Sequence, residues 1–164
     1  MKNRYTWDEV EAVMLETIKD LNENTQFLKT KDFIQHGDVS VYEHCVMVML
    51  KSCEIAFKLK ADVDYEQMIK GALLHDYFLY DWHDNDPSHR LHGFSHPKKA
   101  YENAQRDTYI SKVEGDIIRH HMFPLTAIPP HSKEAWIVCM ADKICATKET
   151  LHVQDTVTSK FISA

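Results

Sequence analysis

No stretch of this chain sustains the period-two alternation of apolar and polar residues that a half-buried strand needs, and its apolar runs sit instead in helical settings between polar starts. The starts repeat one signal, a Ser, Thr or Asp followed three residues on by Glu or Gln, which can cap a first helical turn reciprocally. Thr6 with Glu9 predicts a helix to about Asn24, and Ser40 with Glu43 one to about Lys60. Asp64 with Gln67 opens the helix carrying GALLHDYFLY (71–80), and Ser111 with Glu114 another that ends near Met122, ahead of Pro124. Two more starts use proline, which suits a first turn: Pro97 in SHPKKAYENA, and Pro129 with Pro130 ahead of Ser132 and KEAWIVCMADKICATKE. Six helices follow, with a short seventh expected around Lys31 to Ile34. The fold class is therefore all-α, a single-domain bundle over 1–164 with its core at about 35–150. The polar, His- and Asp-rich stretch DWHDNDPSHRLHGFS (81–95) reads as a long surface loop, a common seat of function. Residues after about Gln154 read as a frayed tail without an assigned element.

Composition narrows the classes of function. A chain of 164 residues makes one core, and at this size it buries roughly 70% of the surface its unfolded form exposes. No apolar run approaches the ~20 residues that span a bilayer, and MKNRYTWDEVEAV turns acidic where a secretory leader turns apolar, so the expected location is cytoplasmic with no membrane partner. The formal charge of -6 and the lack of a Lys/Arg cluster argue against a stable nucleic-acid partner, while a small anion can still bind at a local positive site. Cys45, Cys53, Cys139 and Cys145 lie in apolar helical stretches without a CxxC pair and read as reduced, buried thiols. Eleven histidines are the unusual feature, and their positions decide what they mean.

His44 is flanked at helical spacing by Val41 and Val48, so it faces inward, either as a hydrogen-bonded core residue or as a metal ligand. His75 and Asp76 interrupt an apolar helix side by side, projecting about 100° apart. They are either a hydrogen-bonded pair at a helix end or ligands, the carboxylate being able to lie between two cations. Asp142, set between Val138 and Cys145, is a second carboxylate facing an apolar interior. Burying two acids without positive charge costs several kcal/mol, on the order of the ionic desolvation penalty, and neither helix offers a neighbouring arginine. That imbalance points to bound cations.

His44 in an early helix, the doublet His75-Asp76, and Asp142 in MADK resemble the H…HD…D signature of the HD-domain superfamily of metal-dependent phosphohydrolases, over about Gln35 to Glu149. The resemblance implies the HD-domain fold, with His44, His75, Asp76 and Asp142 binding one ion. It also implies a second site in which Asp76 bridges to two middle histidines, for which the sequence offers His96 in FSHPKKA and His121 in IRHHMFPL. IRHHMFPL is similar to the segment of di-iron members in which the histidine nearer the aromatic is the ligand, which selects His121. His120 is then expected to contact a ligand or the substrate, and His92 to be solvent-exposed in its loop. Six N and O ligands without cysteine suit two divalent metals or iron, among Fe, Mn, Co, Mg and Zn. The implied chemistry is phosphoester or phosphoanhydride hydrolysis of a small phosphorylated molecule, most plausibly a nucleotide, with Asp76, His36 and His120 as catalytic contacts. His36, beside a glycine in QHGDVS, is alternatively a capping or surface residue. Lys98, Lys99, Arg119 and Lys143 stand near ligands in sequence as candidate phosphate contacts, and an aromatic among Tyr77, Phe78, Tyr80 and Trp82 can stack on a base.

The chain also departs from its relatives. HDYFLYDW lacks the small residue and cation of HDxGK, so the phosphate-binding cation must come from elsewhere. HHMFPLT lacks the Gly-Tyr-Pro triplet of the cyclic-dinucleotide subgroup, and the middle histidines set the chain apart from single-metal nucleotidases. Two alternative readings stay open: a di-iron oxygenase of a polyol or phosphonate, and a catalytically weak metal- and nucleotide-binding module.

Overall fold

The computed structural model describes residues 5–87, 91–153 and 159–164. Among the described residues, seven α-helices form an all-α bundle: α1 (Trp7–Asn24), α2 (Val41–Lys58), α3 (Tyr65–Leu74), α4 (His92–Asp107), α5 (Lys112–His120), α6 (Lys133–Thr150) and α7 (Ser159–Ile162). Capping boxes close at Thr6 with Glu9, Ser40 with Glu43 and Ser111 with Glu114, each hydroxyl accepting from the third amide while the Glu side chain accepts from the cap amide. Asp64 and Ser132 cap α3 and α6 in the same way, with one side-chain bond each.

Four expectations are corrected. The element near Lys31 is a 3-10 helix at Phe27–Asp32, followed by a small antiparallel hairpin of β1 (Ile34–His36) and β2 (Val39–Ser40). Gly37 makes its turn at φ +57°, a conformation other residues adopt at a cost; strands this short leave no period-two signature. Helix α4 starts at His92 instead of near Pro97, so the polar loop is shorter and Pro97 lies within the helix, where it leaves only the Gly93 carbonyl without its intrahelical donor. The doublet lies just past α3: His75 is its C-cap and Asp76 sits in the turn beyond. The expected tail lies partly outside the described residues, and Ser159–Ile162 forms α7.

Helix α2 is buried on most of its circumference and packs against α3 and α6, while α5 packs on α3, α4 and α6 and α1 covers α3. From α1, Val10, Met14, Ile18 and Leu21 are fully buried at helical spacing, each contributing about 1.5–3 kcal/mol of apolar transfer. Gly71 sets the spacing of α3 and α5, because a Cβ there would lie 2.5 Å from Ile117 Cδ1. That close approach brings the end of α3, with its His-Asp doublet, beside the end of α5, with its paired histidines. The four cysteines are free and buried, and among the described residues no helix is long and apolar enough to cross a membrane.

Candidate metal centre

Five elements deliver their histidines and acids to one buried point. His44 comes from the second turn of α2, His75 and Asp76 from the end of α3, His96 from α4, His121 from the end of α5 and Asp142 from the middle of α6. His44 Nε2 lies 3.0 Å from Asp142 Oδ1 and 3.5 Å from Asp76 Oδ2, and His75 Nε2 lies 3.4 Å from each of those oxygens. The other oxygen, Asp76 Oδ1, faces His96 Nε2 at 3.0 Å and His121 Nε2 at 3.2 Å. Two groups of side chains thus meet at the two oxygens of one carboxylate, and each group can hold a metal ion. Bonds of about 2.0–2.2 Å to one ion place neighbouring ligand atoms roughly 3.0–3.4 Å apart, the spacing seen in both groups.

The hydrogen bonds around the imidazoles fix which nitrogen is free. His75 Nδ1 donates to Ala72 O at 2.6 Å, His96 Nδ1 to His92 O at 2.8 Å and His121 Nδ1 to Ile118 O at 2.8 Å. A carbonyl only accepts, so each Nδ1 carries a proton and each Nε2 can offer its lone pair to the centre. His96 Nε2 and His121 Nε2 then face each other at 2.9 Å, an arrangement that a shared cation relieves. His75 Nε2 and Asp76 Oδ1 are buried and make no hydrogen bond. Orphaned buried groups of this kind cost about 1–3 kcal/mol each, and these two fall one in each group, so the residues fit a pair of cations.

The electrostatics follow from burial working against charge. Burial alone would raise Asp76 and Asp142 and lower His44 and His75, but the pairings overcome it. His75 and His96 with His121 hold Asp76 well below the carboxylate range, and His44 with His75 do the same for Asp142. Asp142 and Glu149 lift His44 well above the imidazole range, and Asp76 leads in lifting His75. His121 goes the other way: burial dominates and lowers it, so it is ready to bind as the neutral base.

A cavity of about 970 Å³ opens onto the centre, with Gln35, His36, Trp82, His92, Met122 and Lys143 in its wall beside Asp76, His96 and Asp142. His36 stands edge-on to His44 at 5.8 Å between ring centres. Burial, then the neighbouring His44, holds its imidazole below the ordinary range. Lys143 reaches the wall, but its ammonium donates to His121 O at 3.0 Å and Cys139 O at 3.4 Å. Four other expected contacts do not line this cavity, Lys99 among them, its ammonium lying over the Tyr80 ring at 4.5 Å. Lys98 lies on the solvent side of α4 and pairs with Glu102, because it is two residues past His96 and so faces the opposite side of the helix. Arg119 donates to Gly115 O and covers the Tyr101 ring. His120 turns away from His121 and shares a 2.7 Å hydrogen bond with Asp116. His92 corrects the expectation of exposure: it is buried in the first turn of α4, stacked on Trp82 at 4.7 Å and bonded to Tyr80 Oη at 2.7 Å.

Two residues escaped the sequence reading. Gln35 Nε2 donates to Asp76 Oδ2 at 2.6 Å, steadying the shared carboxylate from the hairpin, and no helical pattern marks a residue on so short a strand. Glu149 is buried and accepts from His44 Nδ1 at 2.8 and 2.9 Å through its two oxygens. It lies seven residues after Asp142, two turns along the same face of α6, and that spacing was its one available signal. Carboxylates behind a ligating histidine fix its tautomer and strengthen its basicity. Glu149→Gln is therefore expected to weaken metal binding about 10- to 100-fold, as measured by competition against a chromophoric chelator, with the fold retained. Unchanged affinity would show that Glu149 only fills space behind the ring.

In comparison with known proteins, a family model described as HD domain matches residues 41–147. No curated protein and no solved structure matches the chain.

Proposed function

The chain belongs to the HD domain family, and from that premise we propose that it is a metal-dependent phosphohydrolase with a binuclear centre acting on a small phosphorylated molecule, most plausibly a nucleotide. One observation carries the reading: the two oxygens of Asp76 face two separate sets of imidazole nitrogens, as a bridging carboxylate must. In it, His44, His75, Asp76 and Asp142 would hold one cation, and Asp76, His96 and His121 would hold the other. Bound there, a pair of cations supplies Lewis acidity toward a phosphoryl oxygen and an acidified water as nucleophile.

The remaining work falls to the protein. Gln35 orients Asp76, and its own Oε1, buried and without a hydrogen-bond partner, is an acceptor left over in the cavity wall. Trp82 Nε1 is a matching unused donor in the same wall, its ring held in place by His92 and His83 at 4.7 and 3.8 Å between ring centres. His36, neutral at pH 7 because burial lowers it, can take or return a proton at the cavity side of the centre. With Lys143 tied to the His121 carbonyl, neutralisation of the phosphoryl charge would rest on cations held by the cluster.

The test is protein purified without chelators, analysed for metals, and assayed anaerobically with Mn²⁺ or Co²⁺ against a panel of nucleotides and sugar phosphates. The expected result is about two metal equivalents per chain and metal-dependent phosphate release. Turnover that needs both iron and O2 and releases no phosphate would replace this reading with the oxygenase, and metal binding with no turnover of any compound would leave a binding module.

A further inference from the structure

Beyond the central cluster, the joint between α5 and α6 gathers a second set of metal-ligating side chains. His120 Nδ1 lies 2.7 Å and His131 Nδ1 3.1 Å from one oxygen, Asp116 Oδ1. The ligand atoms of these three residues all lie within 4.8 Å of one another. The other oxygen, Oδ2, is engaged by the segment ahead of α6: the Ser132 amide donates at 2.7 Å, the Ser132 hydroxyl at 2.9 Å and the His131 amide at 3.0 Å, the last shared with Oδ1 at 3.2 Å. The protein thus fixes the carboxylate from one side and turns its free edge toward two imidazoles. Burial would raise Asp116, but hydrogen bonds led by His120 hold it well below the carboxylate range, so it is ionised at every working pH.

Access is open. The His131 side chain is 69% exposed, and a cavity of about 600 Å³ lies against the three residues. The nearby guanidinium of Arg119 is held over the Tyr101 ring and bonded to Gly115 O, not to Asp116.

We propose that Asp116, His120 and His131 form a separate, solvent-facing site for a borderline divalent cation, zinc foremost. Two imidazoles and one carboxylate are the donor set of open zinc sites, in which water takes the remaining position, whereas magnesium and calcium favour oxygen donors throughout. The His131 distance of 3.1 Å already matches the ligand spacing of an occupied site, and the His120 distance of 2.7 Å is a few tenths of an ångström shorter, so His120 and Asp116 would part slightly on binding. Occupancy would staple the end of α5 to the segment leading into α6. His121, whose carbonyl already accepts from Lys143 on α6, is the very next residue after His120. The site therefore stiffens the stretch of backbone that presents a ligand to the central cluster, without touching that cluster.

Equilibrium dialysis of the full chain against Zn²⁺ alone tests this, comparing wild type with His131→Ala, a surface change that leaves the core intact. Wild type is expected to bind about one more zinc per chain than His131→Ala. The Nδ1 resonances of His120 and His131 should move when that zinc enters, in long-range proton–nitrogen spectra. His131→Gln should lose the same equivalent, and His131→Ala should keep the wild type's central metals and turnover. Equal zinc stoichiometry in wild type and both variants, with those resonances unmoved, would overturn the proposal and leave Asp116 as a cap for the segment before α6. The binuclear reading fails separately, because its equivalents depend on Asp76 and the His131-dependent one does not.

Discussion

Asp76→Ala is expected to lose both central metal equivalents and to lower turnover roughly a thousandfold or more, since about 4 kcal/mol of charge stabilisation is a modest share of what a metal pair supplies to a phosphoryl transition state. The size of the effect follows from geometry. Each of the other candidate ligands belongs to one group only, while Asp76 offers Oδ2 to His44 and His75 and Oδ1 to His96 and His121. Removing it also leaves the imidazoles clustered around a missing anion. His44→Ala, by contrast, should damage one position and leave the Asp76, His96 and His121 group able to bind. Metal analysis of the two variants side by side makes the comparison: one equivalent retained in Asp76→Ala would show that the carboxylate does not bridge. Asp76→Asn keeps the shape and the Gln35 contact region while removing the charge, so it separates loss of metal from loss of fold.

The second large effect concerns pH. Without a cation, His44 and His75 have folded-state values raised above the ordinary 6.5. Their stabilisation is fully present below 6.5 and is lost as pH climbs through the raised values. Asp76 and Asp142 have values depressed below 3.8, so their stabilisation is present above 3.8 and is lost as pH falls through the depressed values. The metal-free cluster therefore contributes most between those two ordinary values and less on the alkaline side. Cations reverse the alkaline trend, because each imidazole must surrender its proton to bind. While both His44 and His75 remain protonated in the metal-free protein, displacing two protons makes apparent affinity rise up to about a hundredfold per pH unit.

Melting temperature measured with Mn²⁺ and with chelator across pH 5.5 to 8.5 should thus show a gap that widens with pH, about 2.7 kcal/mol of stabilisation being reached where free metal exceeds the dissociation constant a hundredfold. Addition of metal in weak buffer should release protons. His121, already lowered by burial, contributes little to that release, so the burst should shrink sharply in His75→Gln. A gap that is flat with pH, with no proton release, would mean that the imidazoles bind no cation.

Much of this protein was legible in one dimension. The caps at Thr6, Ser40, Asp64, Ser111 and Ser132 start helices where the sequence predicts them, because a side chain satisfying an orphaned amide is a local interaction that needs no partner element. The inward direction of His44 and Asp142 was equally local, since helical periodicity assigns a residue to a face. Even the all-α class followed from a pattern confined to a few turns at a time.

The tertiary structure alone decided which inward faces look at one another. His44 and Glu149 are 105 residues apart in sequence and 2.8 Å apart in space, and no periodicity on α2 or α6 measures that distance. The same holds for the division of Asp76 between two sets of imidazoles, and for the parting of His120 from His121, where a step of one residue at a helix end turns one ring into the centre and the other toward Asp116. Sequence determines direction around a helix axis through the geometry of its own backbone; the packing of α2, α3, α4, α5 and α6, set by close contacts such as Gly71 against Ile117, determines where those directions converge.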